Sequence, residues 1–158
     1  IAGLLVLVPA WAALVGLRIG AGPAFVLLLM LLVWGADIGA FFAGRRWGRH
    51  KLAPRVSPGK TWEGLLGALG AAAVVALVAG ELLRIPGSRW GIFLGLCLFT
   101  VMTSVLGDLM ESMFKRLAHV KDSSGLLPGH GGVLDRIDSV TAAAPVFALG
   151  IALLGDPS

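Results

Sequence analysis

A chain of 158 residues that is 57% hydrophobic and 14% charged is not a water-soluble domain, where about a quarter of the residues carry charge. The apolar residues run in continuous blocks, not in the alternation of a membrane barrel, so the chain reads as an integral membrane protein made of helices, whose backbone groups are satisfied within each segment. The net charge of +4 gives no reason to expect a nucleic-acid partner, and the single cysteine, Cys97, excludes an intrachain disulfide.

Five blocks are long enough to span, at roughly 1–17, 23–44, 61–83, 90–113 and 133–155. At about 1.5 Å per residue each can cross a core of about 30 Å, the first only if it stands nearly upright. The expected fold is therefore all-α, a polytopic helical bundle of about five transmembrane helices whose cytoplasmic loops form the site. No basic stretch precedes the first block, so it does not read as a signal peptide. A start at Ile1 in place of Met predicts a fragment or a processed chain: one membrane domain, 1–158, forming the C-terminal part of a longer protein.

Block two runs into segment 45–60, which carries Arg45, Arg46, Arg49, Lys51, Arg55 and Lys60. Block three opens with small residues, Gly64, Gly67, Ala68, Gly70 and Ala71, whose spacing suits close helix packing inside the monomer first and a homodimer second. Cys97, in block four, reads as a small packing residue. Segment 114–132 carries Lys115, Arg116 and Lys121, and Arg136 follows in the last block. The opposite turns hold only Arg18, and then Arg84 and Arg89. The positive-inside rule places both long loops in the cytoplasm and the C-terminus on the far side. Trp47, Trp62 and Trp90 fall near block ends and suit an aromatic belt.

Acids inside spanning segments are costly and are functional candidates. Asp37, Glu63, Asp108, Glu111, Asp135 and Asp138 all fall toward the cytoplasmic ends of their blocks, whereas Glu81 and Asp156 read as solvated. Asp108, Glu111 and Ser112 share one helical face, and Asp135 and Asp138 share a face of the next helix. Carboxylates meeting there repel one another unless a cation lies between them, and Mg²⁺ takes such oxygen ligands together with substrate phosphates. The alternative is a structural network with Arg136, Arg116 or Lys115, which suits Glu111 and Asp138 best.

Two loops carry further signals. Pro128-Gly129-His130-Gly131-Gly132 leads into a helix N-terminus, where free N–H groups and the helix dipole favour phosphate. His119 and His130 lack the neighbours of a zinc site; His130 suits a phosphate or a ligand-orienting role, and His119 reads as exposed. Ser57-Pro58-Gly59-Lys60-Thr61 only superficially resembles a P-loop, since Pro54 stands where a glycine is needed and no strand is expected before it. Lys60 and Arg55 are candidate triphosphate or headgroup contacts. Arg45, Arg46, Arg49 and Lys51 suit either phosphate binding or a basic loop lying on anionic lipid.

Ser112-x-Phe114-Lys115-Arg116, then Lys121-Asp122, then Pro128-x-His130-Gly131-Gly132-x-x-Asp135-Arg136-x-Asp138, resembles the signature of the phosphatidate cytidylyltransferases, or CDP-diacylglycerol synthases. The upstream pieces are similar to that family too: Asp37-x-x-Ala40-Phe41-x-x-Gly44-Arg45, Gly48-Arg49, Ser57-Pro58-x-Lys60-Thr61-Trp62-Glu63-Gly64, and Gly107-Asp108-x-x-Glu111-Ser112. The likeness covers about 34–145, with the signature region at 108–138. Gly59 departs, where the family often has a second basic or polar residue.

The resemblance implies transfer of CMP from CTP to phosphatidate, giving CDP-diacylglycerol and pyrophosphate, in a bacterial inner membrane with the site facing the cytoplasm. It implies Mg²⁺, with a second cation of unassigned identity, and CTP, phosphatidate and membrane lipids as partners. Asp108 and Asp135 would be the main metal ligands, with Ser112 and Asp138 supporting and Asp37 and Glu63 completing the shell or orienting basic residues. Lys60, Lys121, Asp122, His130 and Arg136 form the expected catalytic set. Ser57, Lys60, Thr61, Lys115, Arg116, Gly131 and Gly132 would bind substrate phosphates. The rival readings are a CTP-dependent transferase on another lipid phosphate or a polyprenol, an ion-coupled transporter, and an inactive fragment or scaffold subunit.

Overall fold

The computed structural model describes residues 2–117 and 134–155. Five helices follow one another: α1 (Ala2–Gly20), α2 (Pro23–Trp47), α3 (Trp62–Leu82), α4 (Trp90–Leu117) and α5 (Leu134–Leu154). A 3₁₀ turn, Gly87–Arg89, leads into α4. Between α2 and α3 lies a small antiparallel hairpin, β1 (Lys51–Ala53) and β2 (Ser57–Thr61). The helical bundle is as expected from the sequence. The hairpin is not: segment 45–60 reads as loop, because three- and five-residue strands carrying Pro58 and Gly59 give no periodic signal.

Helices α2, α3 and the Gly87–Leu117 stretch are long and apolar enough to cross a membrane, and the apolar runs Val6–Gly20 and Asp138–Leu154 are shorter. The protein is thus a membrane protein by composition and by helix length. Its outer faces agree: Trp34, Leu66, Val74, Val78, Ile92, Phe99 and Leu153 all point outward. A helix apolar on every side belongs in lipid or in a core.

Small residues set the packing. The core joins Leu29, Leu32, Val33 and Ala36 of α2 to Ala68, Ala72 and Ala76 of α3, to Phe93, Cys97 and Val101 of α4, and to Ala143, Ala144 and Phe147 of α5. The α2–α3 pair packs most closely. A Cβ at Gly39 would stand 2.5 Å from the Gly67 carbonyl oxygen, and one at Gly67 would stand 2.6 Å from that of Gly39. The small-residue stripe therefore serves packing within the chain through Gly64, Gly67, Ala68 and Ala71, while Gly70 faces open space.

Helix α2 ends three residues later than expected and α4 four residues later. Arg45 and Arg46 close α2, and Lys115 and Arg116 close α4. Cations there complement the helix dipole, and their long stems follow the helix out of the apolar layer. The C-termini of α2 and α4, the hairpin and the N-termini of α3 and α5 thus share one end of the bundle.

Candidate active site

Asp37 lies ten residues before the end of α2 and Asp108 nine before the end of α4. Each is therefore recessed by about 14 to 15 Å along its helix. Asp138 sits at the opposite flank, in the second turn of α5. Asp37 lies within electrostatic reach of Asp108, Asp138 and Lys60. The converging faces of α4 and α5 expected from the sequence are thus joined by α2.

Lys60 reaches this group from β2. Its Nζ stands 2.5 Å from Asp108 Oδ2, with the two side chains 23% and 33% exposed. Ser112 lies one turn beyond Asp108 and its hydroxyl donates to Asp108 Oδ1 at 3.4 Å. Asp138 Oδ1 accepts the Ser139 backbone N–H at 2.7 Å, which holds that carboxylate to its own helix.

Two recesses share Asp37, Asp108 and Ser139 in their walls. One, of about 230 Å³, lies under the hairpin; Lys60, Gly59 and Thr61 line it together with apolar Phe41, Leu52 and Leu65. The other, of about 310 Å³, is more polar and adds Asp138 and Lys115. Ser139, buried and common to both, gave no signal in the sequence beyond its place after Asp138.

Other residues singled out from the sequence have different surroundings. The Thr61 hydroxyl caps α3 by accepting the Gly64 N–H at 3.1 Å. Lys115 pairs with Glu111 one turn earlier at 3.2 Å, the structural pairing considered for that acid. Arg116 is exposed at the end of α4, and Ser57 opens β2. Glu63 turns to His50: its carboxylate accepts the His50 backbone N–H at 3.2 and 3.3 Å and lies 2.7 Å from His50 Nδ1. His50 was missed, because only the hairpin brings residue 50 to residue 63. Lys121, Asp122, His130, Gly131 and Gly132 lie outside the described residues, as does His119. Asp135 and Arg136 fall in the first turn of α5, their side chains outside what the structure describes.

The donor chemistry here is carboxylate and hydroxyl oxygen from Asp37, Asp108, Asp138 and Ser112. Lys60 already sets a positive charge against Asp108. Such a set fits a hard divalent cation and not a soft one. Among the described residues, no three acids, histidines or cysteines gather closely enough to hold an ion by themselves. Substrate phosphates completing the shell is the usual arrangement for Mg²⁺.

A family model described as the cytidylyltransferase family matches residues 2–154. The chain is similar to a phosphatidate cytidylyltransferase of Pseudomonas aeruginosa, 54% identical over 149 residues, which covers 92% of this chain and 54% of the relative. It is similar to those of Haemophilus influenzae, at 55% identity over 80% of this chain and 45% of the relative, and Brucella suis, at 46% over 84% and 48%. The chain spans about half the length of the curated relatives it matches.

Proposed function

The chain belongs to the cytidylyltransferase family, and from that premise we propose that it carries the transfer site of a CTP:phosphatidate cytidylyltransferase. The observation that carries this reading is the recessed group of Lys60 against Asp108, with Asp37 and Asp138 close by. It lies at the basic end of a membrane bundle. The names of the relatives support the choice of substrates. The basic residues of segment 45–60 support a cytoplasmic position for this face, and the bacterial relatives support the inner membrane.

The reaction joins two anions. A phosphate oxygen of phosphatidate attacks the α-phosphorus of CTP, a new P–O bond forms, and the bond to the bridging oxygen of the β-phosphate breaks to release pyrophosphate. The nucleophile is already ionised, so no general base is required. The barrier is repulsion between the anions and charge gathering on the leaving group, both met by fixed positive charge and by in-line placement. Lys60 supplies one such charge by exchanging Asp108 for a phosphate oxygen. Asp108, Asp135, Asp138, Ser112 and Asp37 would hold Mg²⁺, which when bound neutralises phosphate charge and orients the reactants. Lys121, His130 and Arg136, with the backbone at Gly131 and Gly132, are assigned to the same phosphates from the family signature, and Asp122 to the catalytic set. Glu63 we assign to the hairpin and not to the metal.

The recess under the hairpin is apolar at Phe41, Leu52 and Leu65 and carries Lys60, Asp37 and Asp108 as well, which suits a lipid phosphate whose tails stay in the bilayer. The test is product analysis: radiolabelled CTP with phosphatidate in mixed micelles, and in parallel with a diether lipid phosphate and with a polyprenol. The reading expects labelled CDP-diacylglycerol as the main product. A dominant diether or polyprenyl product would move the chain to another acceptor.

A further inference from the structure

The hairpin carries Lys60, yet a two-stranded hairpin this short is marginal by its own hydrogen bonds. Its pairing is brief and irregular: Lys51 opposes Thr61 and Ala53 opposes Ser57, with a register shift between them. Something else must fix where Lys60 stands.

The base of the hairpin supplies it. The Trp62 backbone N–H donates to the His50 carbonyl at 3.0 Å, closing the pair one residue beyond the strands. The next rung is made by a side chain: the Glu63 carboxylate takes the His50 N–H and the His50 ring together. Residue 50 is thereby gripped at three points by the first turn of α3. On the other side, Gly48 lies so close to Gly44 and Thr61 that a Cβ there would stand 3.0 Å from Thr61 Cγ2. The chain leaving α2 and the chain entering α3 are thus tied together at the base of the hairpin whose second strand delivers Lys60.

We propose that His50 and Glu63 form a latch that fixes the hairpin on α3 and so positions Lys60 at Asp108. Both are positioning residues: neither lines the two recesses, and their effect passes through the hairpin. The catalytic half of this proposal rests on the transfer reaction proposed above; the mechanical half does not.

The experiment joins two readouts in the full chain. A spin label is placed at Arg55→Cys, at the exposed hairpin turn, in a Cys97→Ala background, and its mobility is read by electron paramagnetic resonance in lipid nanodiscs. CTP turnover is measured in parallel on the unlabelled variants, which keep Arg55 and Cys97. Glu63→Ala frees the label and lowers kcat/KM for CTP by about tenfold or more, the loss of a charge-assisted contact. Glu63→Gln, which still accepts the His50 N–H, restores most of both. His50→Ala keeps the backbone rung and falls between them, and adding it to Glu63→Ala neither frees the label nor lowers kcat/KM further. An unchanged label in Glu63→Ala overturns the latch, and a freed label with unchanged kcat/KM overturns its link to Lys60. If the parent protein turns over no CTP, the reaction reading fails while label mobility still decides the latch.

Discussion

Lys60 and Asp108 stand 2.5 Å apart although they lie forty-eight positions apart in the chain. A charge this deep in an apolar bundle is kept only with a partner, and here each is the other's. Replacing Lys60 with Met keeps the length of the side chain and removes its charge. We expect that change to lower kcat/KM for CTP by about a hundredfold, as removal of one preorganised donor does elsewhere; steady-state kinetics at saturating lipid would check it, and a loss under threefold would refute the role. The acids stand out in the sequence because an ionised residue in an oily helix is costly, and the structure gathers Asp37, Asp108 and Asp138 around one recess. The role of Glu63 was not legible. Its position among apolar residues marks it as unusual, but its partner His50 is thirteen residues away, and only the hairpin makes the contact.

At the scale of elements, the helices were readable and the hairpin was not. Continuous apolar blocks flanked by Arg and Lys announce spanning helices, whereas two short strands with Pro58 and Gly59 look like any basic loop. The small residues of α3 gave a usable signal, and the structure divides them by position. Gly67 lies against α2 and Gly70 does not. Gly67→Val therefore forces the α2 and α3 backbones apart and destabilises by about 1 to 3 kcal/mol. Gly70→Ala has room for its methyl and gains helix propensity, a stabilisation of about 0.5 to 1 kcal/mol. Thermal unfolding in detergent should separate the two in opposite directions; equal shifts would mean the close α2–α3 contact is not maintained. Thr61→Ala, which removes the cap of α3 next to the latch, costs about 1 kcal/mol by the same measurement.

For the whole molecule, five helices put the ends of α2 and α4 and the starts of α3 and α5 at one face, and the basic residues follow them there. Six cations lie in segment 45–60, whereas Arg18, Arg84 and Arg89 flank the opposite turns. Arg55→Cys should react with a membrane-impermeant maleimide only in inverted vesicles, and Arg89→Cys only in right-side-out ones, with Cys97 silent because it is fully buried. The reverse pattern would put the recess on the wrong side for CTP made in the cytosol. The distribution of charge is what predicts this orientation. The three-dimensional meeting of α2, α4 and α5 was legible only in part, because spacing gives the face of a helix and not its neighbours.

The central claim is that the recessed carboxylates serve cytidylyl transfer. It is tested most directly by pyrophosphate release from CTP in phosphatidate micelles, comparing the parent protein with Asp108→Asn across a Mg²⁺ titration. We predict release that needs both phosphatidate and Mg²⁺, and a fall of about a hundredfold or more in Asp108→Asn at every Mg²⁺ concentration. Release by Asp108→Asn at the parent rate, or release from the parent protein indifferent to phosphatidate, would contradict the account.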